Sequence, residues 1–460
     1  YIGFTGFIAE VDRRFAVMGQ LRAGGKAEPD SGEYALAIDN SYWEQASVAD
    51  RAVLEVSLRQ LRELDVCSRE MLKCLEVLAS DDGAAAAEMA QAAGAAVKPV
   101  LDPDRLRLAL MVSCCFVLGF LLWIYLPAAG HMGLIYLPVI FALSVAAKPQ
   151  WNISTFFKTL IPWLTLGILC YVFIMPALST YFQLSLLIFA FTGGVAYFTT
   201  GLANLAGMLA FLNLMPIQNE QSYSFAAEGN TFVFLIVSIM IVGIASLVSR
   251  STRPEQALLA LLRRYFTSLA FVVRNAEQGS SRNTWWQQYR WRFHRQELAN
   301  IPQRIVGWTA AIDYGRLPEG HAASLHELCS TIEHLSYRAD EYVTAWNQEH
   351  SPGQLSELRE DLLDWTAGLE QAYAEFSHQD TERTAESMRE VQQQRLDRLG
   401  DSLNSALAGA TEEDSTANQR ANLYGLLGAF RGISEASLYN LAIANKIDWP
   451  GIREEKFGVF

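Results

Sequence analysis

Between Leu106 and Asn219 the chain has no aspartate and no glutamate, although acidic residues outnumber basic ones, 49 to 36, over its 460 residues. An ionised carboxylate facing hydrocarbon costs several kcal/mol, so so long a stretch without one belongs in lipid. Other absences narrow the chemistry. There is no Gly-rich loop closing on Lys-Ser or Lys-Thr to cradle nucleotide phosphates. A Gly-x-Ser-x-Gly nucleophile turn and a His-Glu-x-x-His pair are missing too. The chain therefore reads as a non-enzyme without a cofactor. Its net charge of -13 resides in the polar regions, which argues against nucleic acid, whose phosphates need clustered cations. Cysteine is scarce: Cys67, Cys74, Cys114, Cys115, Cys170 and Cys329 read as reduced thiols. Cys67 and Cys74 share a helix face with no histidine at metal-ligand spacing, so packing is expected there rather than a metal.

What the chain does have is six apolar stretches: Leu106–Leu126, Met132–Ala147, Thr155–Met175, Leu178–Phe198, Leu202–Met215 and Thr231–Val248. Spanning about 30 Å of hydrocarbon takes roughly 20 apolar residues as helix. The first, third, fourth and sixth are long enough. The second and fifth are short, but crowded between long neighbours they read as spans too. Cations gather at alternate connections: Arg105 and Arg107, then Lys148 and Lys158, then Arg250 and Arg253. Pro127–His131 and Pro176–Ala177 carry none, and Pro216–Asn230 has only Glu220 and Glu228. Cationic flanks resist translocation, so both polar regions are expected in the cytoplasm. The fold class is all-α: a polytopic membrane protein of about six transmembrane helices (101–250) with cytoplasmic helical regions at 1–100 and 251–460.

In the polar regions, Tyr1–Leu21 reads as the tail of an earlier membrane helix or as an amphipathic surface helix. Ser47–Ala79 is a helix, with Leu54, Leu58, Leu61, Leu72 and Leu75 at three- and four-residue steps. Asp81–Lys98 is alanine-rich and weakly patterned. Pro254–Glu277 places Arg263 and Arg264 against the inner leaflet. Trp285–Arg295 interleaves aromatics with cations, as a membrane-surface anchor or a packing helix does; base stacking is the lesser alternative. Heptad steps at Ile332, Leu335, Ala339, Tyr342 and Trp346, and again from Leu355 and Leu358 to Phe376, indicate antiparallel helices joined at His350–Gly353. Thr381–Leu407 is charged and helix-prone, Glu412–Ser415 is an acidic turn, and Asn422–Ala444 is a last apolar helix.

Polar chemistry inside the membrane is confined to a few positions. Thr192, Thr199, Thr200, Asn204 and Asn213 lie among glycines around the fourth-to-fifth junction. Small-x-x-x-small spacing at Ala190/Gly194 and Ala203/Gly207 lets helices approach closely, and that alone accounts for the glycines. The functional alternative makes the fifth stretch a broken helix whose ends and amides face a solute. Tyr171 and Tyr197, with Trp123 and Trp163, would then pack a ring. Arg105, Lys148 and Lys158 would draw anions from the cytoplasm, or merely set topology. No carboxylate in the spans serves as a proton carrier, so a proton-coupled pump would place it elsewhere or at an edge residue.

Six spans between polar regions, the Asn213–Pro216 run into a polar loop, and Ser249–Glu255 with Arg263, Arg264 and Tyr265 together resemble the fusaric acid resistance family, as does Trp449–Phe457 (WPGIREEKF). The resemblance covers roughly Asp102–Phe460. It implies a tandem design of which this chain is the C-terminal repeat, with Tyr1–Val100 ending the preceding repeat's soluble domain. It further implies a bacterial inner-membrane exporter of aromatic or other organic acids. Such a protein works with a periplasmic membrane-fusion adaptor and an outer-membrane channel, and is expected to be a homo-oligomer. A passive anion channel and a non-transporting membrane scaffold are the alternatives.

Overall fold

The computed structural model describes residues 1–23, 32, 34–79, 100–126, 133–147, 153–215, 224–248, 254–277, 284–312, 314–316, 320–348, 352–378 and 417–453, together with 390–391, 393–395, 397–398, 400–402 and 405. Among them the elements are helical, apart from one isolated bridge, Ile2 to Ala37. The chain gathers into two compact units. One joins Tyr1–Val100, Leu261–Val306 and Tyr314–Trp449; the other is mainly Leu101–Ala260, with Gly307–Asp313 and Pro450–Phe460.

The polar unit contains α1 (Phe4–Arg22), α2 (Asn40–Gln45) and α3 (Val48–Ala79). The apolar unit contains α4 (Pro103–Tyr125), α5 (Gly133–Ala147), α6 (Ile153–Leu169), α7 (Tyr181–Phe198), α8 (Gly201–Leu214) and α9 (Phe225–Val248). After these come α10 (Pro254–Asn275), α11 (Trp285–Thr309), α12 (His321–Trp346), α13 (Pro352–His378), α14 (Ala417–Ala444) and the short α15 (Trp449–Arg453).

In the apolar unit α9 is the hub, packing on α4, α5, α6 and α8, while α8 also meets α6 and α7. Leu134, Leu137, Phe141, Leu160, Leu164, Leu235 and Ile239 form its main core. Two glycines mark close crossings. A Cβ at Gly119 would stand 2.2 Å from the Leu134 carbonyl oxygen, and one at Gly207 would stand 2.9 Å from both Val195 methyls. Outside this core the helices present large apolar side chains, α7 above all: Tyr181, Phe182, Phe189 and Phe198 are each about three-quarters exposed or more. A surface so apolar is stable against lipid tails and costly in water.

Four helical segments of this unit, Pro103–Tyr125, Lys158–Ala177, Tyr181–Phe198 and Phe225–Ala245, are long and apolar enough to cross a membrane. The protein is thus an all-α, multi-pass membrane protein. The 15 residues of α5 and 14 of α8 reach only about 22 and 21 Å at 1.5 Å per residue.

A fifth segment, α10, also satisfies length and apolarity, but its apolar face is spent in the polar unit. Tyr265 donates to the Ile332 carbonyl at 3.1 Å, Phe266 meets Tyr373 and Phe376, and Arg264 forms a forked pair with Glu297 at 2.7–3.0 Å. Arg264 is thus engaged by Glu297, where the sequence suggested a leaflet contact.

Several boundaries differ from the sequence expectation. The third stretch leaves α-geometry at Cys170–Ile174, a π turn, and continues as a 3-10 turn over Met175–Ala177. The fourth begins at Tyr181, where Thr180 and Gln183 form a capping box. The fifth is one continuous helix, so the break of the functional alternative is absent there, and irregular backbone falls in the third instead. The sixth starts at Phe225 rather than Thr231, because Ser224 caps it, its Oγ accepting from the Ala227 N–H at 3.3 Å.

The two polar regions, separate in sequence, share one core. Helix α3 packs on α14, which packs on α12. Arg59 donates to Gln348, Gln60 to Glu341, and Arg51 to the Tyr424 hydroxyl. Both heptad seams are buried (Ile332, Leu335 and Tyr342; Leu362, Trp365 and Leu369), and they meet through α14: Phe430 lies 5.1 Å from Tyr342 and 4.2 Å from Trp365. On α11, Trp285 and Trp286 are exposed while Trp291 is buried, so that helix both packs and displays aromatics. Cys67 and Cys74 are exposed, a correction to the packing expected of them; their face of α3 is the one turned outward. The stretches Asp81–Lys98, Glu412–Ser415 and most of Thr381–Leu407 lie outside the described residues.

Candidate functional site

The polar side chains of the apolar unit are each placed by a helix end or a preceding carbonyl. Thr192 Oγ1 donates to the Ile188 carbonyl at 2.6 Å and Thr199 Oγ1 to that of Val195 at 2.5 Å. Asn213 Nδ2 donates to Leu209 O, one turn back, at 2.8 Å. Such bonds to the i−4 carbonyl are how small polar groups become tolerable in an apolar helix. Asn204 is different. Its Nδ2 reaches across from α8 to Val195 O on α7 at 3.4 Å, the long end of the hydrogen-bond range.

Val195 is also where aromatics gather. It is buried with Tyr171, Phe191 and Phe211 in a second core, against which Trp163 packs. Ring centroids lie 6.1 Å apart for Trp163 and Phe191, and 5.3 Å for Phe191 and Phe211. The structure thus brings Asn204, Thr199 and Trp163 together at Val195, while Tyr171, eight residues beyond Trp163, stands roughly 12 Å further along that helical run. The other sequence candidates stand apart. Asn213 is nine residues further along α8, roughly 13 Å at helical rise. Thr200 is exposed at the start of α8, and Tyr197 is 83% exposed, facing away from the cluster. Trp123 neighbours Phe120 on α4.

Of the cations, Arg105 is exposed and 3.6 Å from Asp102, so part of its field is cancelled locally. Lys158 is exposed on α6. Lys148 lies outside the described residues.

No family's sequence model matches this chain, and no curated protein matches it. Function therefore rests on the residues.

One residue escaped the sequence reading. Glu228, assigned to a loop, lies in the first turn of α9 and is 8% exposed. Its Oε2 is buried with no hydrogen-bond partner. The neighbouring turn is held to the π turn that follows α6, since the Ser224 N–H donates to the Tyr171 hydroxyl at 3.1 Å. The available signal was Ser224, a helix-capping type four residues ahead.

Proposed function

We propose that the chain is part of a bacterial inner-membrane exporter of amphipathic organic acids, with aromatic carboxylic acids as the best fit, resembling the fusaric acid resistance family. The observation that carries this reading is the Val195 neighbourhood. Aromatic faces and an amide donor converge there in a unit otherwise poor in polar groups. An aromatic acid needs both, a π surface for its ring and a donor for its carboxylate. The Asn204 amide is held by a long bond that a carboxylate can replace at small cost. The absence of carboxylates from Leu106 to Asn219 favours an anionic solute over a cation.

Topology supports the same picture. Residues before and after the apolar unit share one core, and a single folded unit lies on one side of a bilayer. The intervening crossings are therefore even in number, which counts α5 and α8 as spans and leaves α10 out. With cations at the α4 and α6 entrances, that side is the cytoplasm. The resemblance brings a periplasmic adaptor, an outer-membrane channel and self-association as partners; the apolar face of α7 suits lipid or a second copy.

The test is uptake of hydroxylated aromatic acids into everted membrane vesicles. Asn204→Ala is expected to lower the rate about tenfold, the worth of one lost hydrogen bond of roughly 1.4 kcal/mol. Asn213→Ala, already satisfied within its own helix, should fall less than twofold. Normal transport by Asn204→Ala would remove this path. Failure of every acid to move would favour a membrane-anchored scaffold, a reading that Thr192 and Thr199, bonded within their own helix, also allow.

A further inference from the structure

Glu228 is the only carboxyl among the described residues between 106 and 248. It is more than nine-tenths buried, and one of its oxygens has no partner. The helices packed against α9 bring no compensating charge to it. On α4 the charged groups are Asp104, Arg105 and Arg107 in the first turns, and both arginines pair locally, with Asp102 at 3.6 Å and Asp104 at 3.8 Å. Lys158 on α6 lies 13 residues before Tyr171, about 20 Å along the axis. Helices α5 and α8 carry no charged side chain. The remaining titratable groups on these elements are thiols and phenols: Cys114, Cys115 and Tyr125 on α4, Tyr136 on α5, Cys170 and Tyr171 at the π turn.

A buried carboxylate with no counter-charge costs several kcal/mol, and the N-terminal turn of a helix returns only about 0.3–1 kcal/mol. A neutral carboxyl costs far less. The two protonation forms of this side chain therefore require different surroundings, and the turn just ahead of it is tied to an irregular element. The Ser224–Tyr171 bond ties the start of α9 to the π turn at Cys170–Ile174, a type of helix defect that can shift register locally.

We propose that Glu228 is a proton-binding site of the membrane unit, through which the acidity of the compartment at the entrance of α9 sets the rate of transport. The proton is taken from bulk water and returned to it; one O–H bond forms and breaks, and no other reactant is needed. The regulatory half rests on the transport function proposed above, while the protonation does not.

The full chain in lipid vesicles and nanodiscs tests both halves. In pH-difference infrared spectra the wild type should show a carboxylic C=O band that Glu228→Gln lacks and Glu228→Asp retains. In vesicles, wild-type transport should change up to about tenfold per pH unit in the titrating range. The rate of Glu228→Gln should vary less than about twofold, with exchange of substrate at equal pH preserved. Identical spectra for wild type and Glu228→Gln overturn the site. An unchanged pH profile in Glu228→Gln, with the band lost, overturns its control of transport. If no acid moves in either protein, the transport reading fails, and the band alone then supports or overturns the proton site.

Discussion

Arg14 offers the sharpest test of how the polar unit is held together. Its side chain is fully buried between α1 and α3. Nη1 donates to Asp65 Oδ1 at 2.8 Å, to the Asp65 carbonyl at 3.2 Å and to Ser68 Oγ at 2.8 Å; Nη2 donates to the Gly32 carbonyl at 2.9 Å and Nε to Glu10 at 3.0 Å. Breaking a buried pair by removing one partner costs about 3–5 kcal/mol, because the other charge is stranded. Here Asp65 keeps Arg69 at 2.9 Å, so Arg14→Met should cost near the lower limit, about 3 kcal/mol. At roughly 1.4 kcal/mol per decade, amide exchange in α1 should accelerate about a hundredfold, measured by hydrogen-exchange mass spectrometry on the full chain in nanodiscs. Adding Asp65→Leu should recover part of the loss, since the only charge then left without its partner is Arg69, which reaches water. Exchange in Arg14→Met within twofold of wild type, or a double variant worse than the sum of the singles, would refute the reasoning.

Two further outcomes follow from the packing. His294 sits against Phe271 with Nδ1 3.0 Å from Ser268 Oγ, and burial together with nearby Arg290 pushes its pKa down to about 4 from 6.5. A base depressed in the folded state binds fewer protons than the unfolded chain between those values. Stability is therefore intact above pH 6.5 and declines as pH falls toward 4, by up to about 2 kcal/mol after allowing for partial exposure. Melting temperatures across that range should show the slope in wild type and a shallower one in His294→Phe; equal slopes would contradict it. In the membrane unit, Gly207→Val must displace Val195 and Trp163 and should lose about 1–3 kcal/mol by thermal unfolding in detergent. Gly193→Val meets nothing within 4 Å and should melt as wild type does; the reverse order would mean that α7 and α8 do not cross at Gly207.

Composition and periodicity made much of this fold readable. The carboxylate-free run outlined the membrane unit because charge exclusion is a property of sequence, not of packing. The two heptads located their buried seams, but not their partner: both insert against Phe430 of α14, a helix whose own pattern is too evenly apolar to show a face. Helix ends were poorly legible. Thr180, Ser224 and the π turn at Cys170 depend on hydrogen bonds that form only once neighbours are in place, and a six-residue shift at Ser224 concealed Glu228 in an assumed loop. Arg14 resembled a surface charge, since the carboxylate that buries it is 51 residues away. Among the site candidates, small polar residues in apolar helices were found by type. Which of them converge was decided by geometry, since only Asn204 reaches another helix.

The proposed topology requires an even number of crossings between two polar regions that fold together. Labelling with a membrane-impermeant maleimide measures this directly. The reporters are the exposed native thiols Cys67 and Cys74 and single cysteines placed by Ala299→Cys in α11 and Ser179→Cys between α6 and α7. In intact cells only Ser179→Cys should react, and the other sites should react after permeabilisation. Reaction of Cys67 on one side and Ala299→Cys on the other would make the crossings odd, bring α10 into the membrane or take a short helix out of it, and contradict the shared core.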